Sequence, residues 1–350
     1  MTEIRIQAKE LDFYLRDLFA AFGISTAQAA SIAQNMVWSE LVGRNNFGVI
    51  RVPVHLKRIE NGVLNPKPDP SYYQSASGTG VLDGDNGFGY FVGEIAMAEA
   101  IKLATENGIG MVAVNNSNFF GTGAYFVNLA AMKGMLSLVL SNSFPKVVPH
   151  GGLSSALGTN PFAFGAPRAE GHNLLVDFAT SSLAGSTVRE YLDQGKQLPE
   201  GLAIRTDGQP ETDPAKIGDA SLMPFGGAKG YGLSLMVEIL CGVLSGAGFS
   251  KSVKSTYANF NEKSDSGHCM IAIDIEKFMP RSEFFERFEK LIGILKSSNP
   301  INEVLLPGEV RWRNYEHNCK NGVTIPGKPA AELMAISENY KVSCPWVEAG

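Results

Sequence analysis

Residues 223–246 read MPFGGAKGYGLSLMVEILCGVLSG, a glycine-rich segment with one lysine that runs directly into an almost wholly apolar stretch. Apolar residues lie in nearly every direction of a 3.6-residue helix, and only Ser234 and Glu238 form a narrow polar stripe. The pattern therefore predicts a helix that is buried inside a large core. Glycines let the backbone approach a ligand closely, and Lys229 adds a positive charge to the amides at the helix start. We expect a phosphate or a carboxylate to bind here; the alternative is a set of tight turns beside a solvated lysine.

The size and composition of the chain limit the classes of protein to which it can belong. Of its 350 residues, 44% are hydrophobic and 19% are charged, which favours a globular protein with a substantial core. A net charge of -5 provides no basic surface, so we expect no nucleic-acid partner. The N-terminal sequence lacks a signal pattern and no run approaches the roughly 18 apolar residues of a membrane span, which predicts a cytoplasmic protein with no membrane partner. The four cysteines are widely separated, and this spacing indicates neither a metal site nor a disulfide framework.

Along the chain, helical and strand-like patterns alternate in a way that is typical of an α/β protein. A pair of helices is predicted within residues 11–43, and the proline-rich sequence NPKPDP at 65–70 marks a boundary. Strand-like runs at 111–114 and 135–140 each end in small polar residues, and such strand ends often contact ligands in α/β sheets. The glycines at 87, 89 and 93 have the spacing GxGxxxG and no suitable acidic residue follows, so we do not expect a standard Rossmann dinucleotide site.

Several short motifs resemble those of the malate/L-lactate dehydrogenase family, which includes L-sulfolactate and ureidoglycolate dehydrogenases and piperideine-2-carboxylate reductase. The motifs are RVP at 51–53, GTNP at 158–161, DFATS at 177–181, TDP at 212–214, the segment beginning PFGGAKGYG at 224, and PGE at 307–309. This resemblance covers about residues 10 to 340. It implies a non-Rossmann NAD(P)-binding α/β fold with an N-terminal helical segment, a homodimer, and NADH or NADPH as the cofactor.

The resemblance also implies a division of the chain into lobes with the active site between them. Residues 1–70 would form the N-terminal helical segment, and residues 126–275 the cofactor-binding lobe. Residues 71–125 together with 276–350 would form the lobe for substrate binding and dimerisation.

Matched position by position, the resemblance assigns a set of cofactor contacts. They are Ser141, Asp177, Phe178, Ala179, Lys229, Pro307, Gly308 and Glu309, with Gly158, Thr159 and Asn160 forming the wall of the nicotinamide pocket. Lys229 and its neighbouring amides would face phosphate or ribose, in agreement with the anion site inferred from the glycines.

The substrate side of the site combines one arginine with two departures from the family pattern. Arg51 is suited to binding both oxygens of a carboxylate, although a structural ion pair is the alternative. The family usually has SHG where this chain has Asn46, Phe47 and Gly48, and it usually has SNHFG where this chain has phenylalanine at 119. Asn46, Phe47 and Phe119 are therefore assigned to the substrate pocket, and both usual histidines are replaced by phenylalanine.

The loss of the two histidines leaves the proton donor open. Ketone reduction creates an alkoxide that needs a proton, and an imidazole is well matched to neutral pH. His150, Asp177 or a bound water are the candidate donors, since His150 lies in PHGG between a strand end and the GTNP motif.

Three functions are compatible with these residues. The first is reversible hydride transfer between NAD(P) and a small α-carboxylate substrate, namely a 2-oxo acid, a 2-hydroxy acid or a cyclic imino acid. The second is a reductase specialised for C=N or other unsaturated acceptors, because a protonated iminium already carries its proton. The third is a catalytically silent homologue that binds nucleotide. Complete cofactor motifs favour the first.

Overall fold

The computed structural model describes residues 3–183, 185–298 and 301–346, and it shows a mixed α/β architecture. The helices are α1 (Ala8–Ala21), α2 (Thr26–Leu41), α3 (Val52–Glu60), α4 (Gly89–Asn107), α5 (Gly123–Ala131), α6 (Gly185–Asp193), α7 (Ala228–Glu238), α8 (Arg281–Lys296), α9 (Glu309–Asn321) and α10 (Gly327–Tyr340). The strands are β1 (Ile4–Ile6), β2 (Ser71–Ala76), β3 (Thr79–Asp83), β4 (Ile109–Ser117), β5 (Met135–Ser141), β6 (Phe162–Ala166), β7 (Leu174–Phe178), β8 (Ala203–Ile204), β9 (Ser221–Leu222), β10 (Ser266–Asp274) and β11 (Val323–Ile325).

The centre of the molecule is a seven-stranded sheet in the order β2-β3-β4-β10-β5-β6-β7. Only β3 and β4 pair in parallel, and all other neighbouring strands are antiparallel. A doubly wound parallel sheet would have the opposite balance, so the predicted non-Rossmann α/β fold is confirmed. The two strand-like runs of the sequence form β4 and β5.

Helices cover both faces of this sheet. In β10, Met270 and Ala272 pack into the cluster formed with α4 and α5, whereas Cys269 packs with Val237 and Cys241 at the end of α7. Successive side chains of a strand point to opposite faces, so α4 and α5 lie on one side and the end of α7 on the other.

The N-terminal helices form a second core beside the sheet. Leu11, Leu15 and Phe19 of α1 pack with Met36 of α2 and Leu333 of α10. The predicted helical pair is confirmed, and the proline-rich boundary ends where β2 begins. β1 pairs with β11 near the other end of the chain, a contact that the local sequence pattern did not indicate.

The opening stretch forms a helix, but the prediction that it is buried on all sides is wrong. α7 continues into a π-helical turn over Ile239–Val243, and its apolar residues Leu235, Ile239 and Val243 are 41%, 47% and 61% exposed. The two residues of the predicted polar stripe, Ser234 and Glu238, are buried instead, where they bond to Asn160 and Ser250. The polar stripe therefore faces inward together with Val237 and Cys241, while Leu235, Ile239 and Val243 face outward.

The division into lobes stays a prediction; its boundary at residue 125 falls within α5. A smaller apolar cluster that includes Val147, Leu157, Ala203 and Leu222 forms under the β8–β9 ribbon. Among the described residues, no helix combines the length and the apolar character needed to cross a bilayer.

Candidate active site

A cavity of about 700 Å³ lies where the N-terminal helices meet strand ends of the sheet. Among the described residues, its lining contains one carboxylate, Asp177, and five cationic side chains: Arg44, Arg51, Lys146, Lys254 and Arg311. Charges of one sign in a concave site attract a ligand of the opposite sign. The cavity is therefore suited to an anionic ligand.

Arg51 stands at the start of α3, after a short turn over Asn45–Phe47. Its Nε donates a hydrogen bond of 2.5 Å to the carbonyl oxygen of Asn46. Its guanidinium carbon lies 4.5 Å from the ring centre of Tyr257 and 5.5 Å from that of Phe119. Within the described part of the chain, no ion pair to Arg51 is found, so the alternative of a structural ion pair receives no support. The side chain is held by backbone and rings, which favours a carboxylate of a ligand as its partner.

Aromatic rings form the wall beside this arginine. Phe47 and Phe119 both line the cavity, with ring centres 6.1 Å apart and planes inclined by 18°. The ring of His55 lies 5.9 Å from that of Phe119 and is fully buried, outside the lining. Burial, with the nearby charges of Arg51 and Arg58, lowers the pKa of His55 to about 3, so this imidazole is neutral.

A buried acid supports the turn that carries Asn46 and Phe47. Glu40 Oε1 accepts a hydrogen bond of 2.8 Å from the backbone N–H of Val49. A side chain at Gly48 would place its Cβ 2.0 Å from the same oxygen, so a larger residue here would displace the Glu40 carboxyl group. Burial raises the pKa of Glu40 to about 8, although the bond from Val49 acts in the opposite direction. Glu40 is therefore protonated at neutral pH.

Asp177 lies in the cavity wall near the end of β7 and is engaged by several donors. Its Oδ2 accepts bonds from Thr122 Oγ1 at 2.5 Å and from the N–H of Ala124 at 3.2 Å, and Arg311 lies 3.4 Å away. A carboxylate with these partners acts as an acceptor that ties β7, α5 and α9 together. The geometry gives no support to Asp177 as a proton donor.

His150 is not brought to the cavity. It is exposed, and its imidazole lies next to the loop before α7, 3.5 Å from the position that a Cβ on Gly227 would occupy. The catalytic role predicted for His150 therefore has no geometric support.

Five of the predicted cofactor contacts do line the cavity: Ser141, Thr159, Asp177, Phe178 and Ala179. The GTNP segment packs against the backbone of Ser143, another residue of the cavity lining. A Cβ at Gly158 would lie 2.3 Å from the carbonyl oxygen of Ser143, so this backbone approach requires glycine.

Asn160 locks this segment to α7. Its amide nitrogen donates to Glu238 at 2.7 Å and to the hydroxyl of Ser234 at 3.1 Å, while its oxygen accepts from the N–H of Ser143 at 3.1 Å. The second carboxylate oxygen of Glu238 accepts from the N–H of Ser250. The polar stripe of α7 thus holds the GTNP segment in place through hydrogen bonds.

The other predicted cofactor contacts lie outside this cavity. Lys229 is exposed in the first turn of α7. Pro307 and Glu309 line a separate cavity of about 250 Å³, and Gly308 precedes α9 with a positive φ of 95°. Their assigned roles stay predictions.

Four functional candidates of the cavity were not identified from the sequence: Lys146, Lys254, Tyr257 and Arg311. Arg311 follows PGE by two residues, so that motif is a sequence signal for it. The other three lie in loops without a recognisable pattern, and only the tertiary structure brings them together.

A buried histidine was also missed. The two ring nitrogens of His268 lie 2.8 Å from Ser141 Oγ and 2.9 Å from Ser117 Oγ, and its ring stacks on Phe120. Burial lowers the pKa of His268 to about 4, so it is neutral and orients Ser141 in the cavity wall.

Comparison with known proteins links this chain to an enzyme family. Residues 6–334 match the family model described as malate/L-lactate dehydrogenase. L-sulfolactate dehydrogenase from Methanocaldococcus jannaschii is 38% identical over 91% of this chain and 92% of its own. Its solved structure superposes with a TM-score of 0.91 at 34% identity, covering 97% of this chain and 98% of that one.

Two further relatives are named for other substrates. Malate dehydrogenase from Pyrococcus abyssi is 36% identical over 97% of this chain and 96% of its own. A Pseudomonas putida reductase named for Δ1-pyrroline-2-carboxylate and Δ1-piperideine-2-carboxylate is 32% identical over 96% of this chain and 97% of its own.

Proposed function

Because the chain belongs to the malate/L-lactate dehydrogenase family, we propose that it transfers a hydride between NADH or NADPH and a small α-carboxylate substrate. The family and the relatives are dehydrogenases and reductases, so the chain is an oxidoreductase. The substrate is a 2-oxo acid, its 2-hydroxy counterpart or a cyclic imino acid. The observation that carries this proposal is Arg51, held by two aromatic rings in a cavity whose charged lining residues are five cations and one carboxylate.

A nicotinamide cofactor fits the residues present. The cavity has the size of a small-molecule site, and glycine at 158 lets the backbone carrying Thr159 pack close to Ser143. Ser141, Thr159, Phe178 and Ala179 would hold the nicotinamide end, with Lys229 and the amides of α7 nearer to phosphate. The cofactor supplies or accepts the hydride.

The protein's own residues bind and orient the substrate. Arg51 holds the carboxylate through paired N–H donors, and the remaining cations favour a second anionic group such as that of a dicarboxylate. Phe47 and Phe119 exclude water from the reacting carbon and strengthen these charged contacts.

Two alternatives are not favoured by the comparisons. They are a reductase specialised for C=N bonds and a catalytically silent nucleotide-binding protein. Imino acids nevertheless stay within the proposed substrate range, because the Pseudomonas putida relative is named for two of them.

The function is tested by assaying purified protein with NADH and with NADPH against pyruvate, oxaloacetate and a cyclic imino acid. We expect oxaloacetate to be reduced with a lower KM than pyruvate, because it presents a second carboxylate to the cationic lining. Binding of either cofactor without turnover of any substrate would contradict the proposal and return the silent homologue to consideration.

A homodimer is part of the proposal. The exposed apolar face of α7, with Leu235, Ile239 and Val243, is a surface that a second copy of the chain would cover. The cytoplasmic location stays a prediction from the sequence.

A further inference from the structure

We infer that Tyr257 donates the proton to the substrate oxygen during ketone reduction. This inference rests on the proposed function and adds the residue that completes it. Among the described residues, the cavity lining contains no histidine and one tyrosine, Tyr257.

The other ionisable groups of the lining are less suited to this step. Asp177 accepts bonds from Thr122 and Ala124 and pairs with Arg311. Lys254 lies 3.4 Å from the carboxylate of Glu262, and Lys146 donates to the carbonyl oxygen of Gly218 at 2.7 Å. Arginine keeps its proton at any working pH, and serine and threonine hydroxyls are weaker acids than a phenol.

Tyr257 is also placed beside the carboxylate clamp. Its ring centre is 4.5 Å from the guanidinium carbon of Arg51 and 6.5 Å from the ring centre of Phe119. Phe144, another lining residue, lies edge-on to the ring at 6.1 Å. In an α-keto acid the reacting carbonyl is bonded directly to the carboxylate carbon. A carboxylate held by Arg51 therefore brings the keto oxygen within reach of a phenol that covers the same guanidinium.

The proton and electron balance of the step is complete. Hydride from the reduced nicotinamide forms the new C–H bond, and the C=O π electrons move to the oxygen. That oxygen takes the phenolic proton to form the hydroxyl group, and the resulting phenolate recovers a proton from water. Cationic Arg51 and Lys254 both line the same cavity and stabilise the phenolate between these two events.

The variant Tyr257→Phe tests the inference because it removes only the hydroxyl and keeps the ring that covers Arg51. We expect kcat for the active keto acid to fall by roughly 10² to 10⁴, the usual contribution of a general acid. The melting temperature should stay at the wild-type level, and so should the increase in melting temperature that oxalate binding causes. The affinity for NADH or NADPH, measured by fluorescence, should also be unchanged. These quantities report folding and binding without turnover. Reduction of a protonated cyclic imine should fall far less, because that substrate brings its own proton.

Two controls separate the hydroxyl from the ring and from general effects of the exchange. Tyr73→Phe makes the same change at a tyrosine that is 61% exposed on β2, and it should leave kcat unchanged. Tyr257→Leu removes the ring as well, and it should weaken oxalate binding in addition to lowering kcat.

The outcomes distinguish this inference from the proposed function. A Tyr257→Phe protein that keeps the keto-acid kcat within about threefold overturns the inference while leaving the function intact. Equal losses of keto-acid turnover, imine turnover and oxalate binding also overturn it, because they assign Tyr257 to positioning. A wild-type protein that reduces no keto acid overturns the inference, and one that turns over no substrate overturns the proposed function as well.

Discussion

Arg51 shows how a single side chain is prepared for a ligand before the ligand arrives. One bond to the carbonyl oxygen of Asn46 fixes its Nε, and the rings of Phe119 and Tyr257 flank its guanidinium. These contacts orient the guanidinium group, and its charge has no carboxylate partner among the described residues. Less rotational freedom is then lost when a substrate carboxylate binds.

Arg51→Lys should raise KM for the active α-carboxylate substrate by about tenfold or more, because an ammonium group cannot reproduce the paired bonds or the stacking. Steady-state kinetics at saturating cofactor measure this change. Arg16→Lys, at a surface arginine paired with Asp12, is the matched control and should leave KM unaltered. An unchanged KM in the Arg51 variant would assign the arginine a structural role.

The raised pKa of Glu40 should make the stability of the protein depend on pH. Its pKa rises from 4.5 to about 8 on burial, so between these values the folded protein holds a proton that the unfolded chain has released. The free energy of unfolding contributed by this residue should therefore fall as pH rises through this window, by up to about 1.4 kcal/mol per pH unit. Urea unfolding of the wild type and of Glu40→Gln at several pH values measures it.

Glutamine has nearly the same shape as the protonated acid and keeps an oxygen for the N–H of Val49. The difference in unfolding free energy between the two proteins should change in favour of the variant as pH rises, and level off above the folded pKa. A difference that is constant across the window would mean that Glu40 is not protonated in the folded protein.

The sequence predicted much of the residue-scale site through motif resemblance. Arg51, Phe47, Phe119, Ser141 and Asp177 were named in advance, and the structure brings them to one cavity. Tyr257 could not be found in this way, because it lies in a loop with no regular pattern. His150 was chosen for its place between two motifs along the chain, but neighbours in sequence do not need to face the same cavity.

Among the elements, α7 determines the shape of the cavity wall. Ser234 and Glu238 bond to the side chain of buried Asn160, the residue that follows Thr159 of the cavity lining. The periodicity of the sequence correctly separated a polar stripe from an apolar surface. It could not show which of them faces inward, since that depends on a partner far away in the chain.

The exposed start of α7 predicts the effect of a charge change on the cofactor. Lys229→Met should weaken the affinity for NADH or NADPH by roughly tenfold, as expected for the loss of one charge-assisted contact near a helix start that no side chain caps. Fluorescence titration measures the dissociation constant. Lys277→Met, distant in sequence from α7 in a turn after β10, is the control and should bind cofactor normally.

Salt provides a second check on the same element. Raising the ionic strength should weaken cofactor binding more in the wild type than in Lys229→Met, because screening acts on the exposed charge. Equal affinity of the two proteins at low salt would remove Lys229 from the cofactor site.

At the scale of the whole molecule, the sequence motifs taken together carried more information about the fold than any single pattern. The glycine spacing does not match GxGxxG, and the family motifs are present; both observations argue against a parallel Rossmann sheet. The observed sheet is mostly antiparallel. The pairing of β1 with β11 could not be predicted, because three-residue strands at distant ends of the chain give no periodic signal.

The last prediction concerns the outer face of α7, where Leu235, Ile239 and Val243 recur every four residues and are 41% to 61% exposed. Leaving such a stripe in water is unfavourable by about 25 cal/mol per Å² of apolar area, and a second copy of the chain would cover it. Ile239→Asp places a charge in the centre of that stripe, with the neighbouring polar bonds of Glu238 unchanged. We expect sedimentation velocity to show a dimer for the wild type and a monomer for the variant. Met132→Asp, at another exposed apolar residue, should remain dimeric. A monomeric wild type, or a variant that stays dimeric, would show that α7 is not the dimer interface.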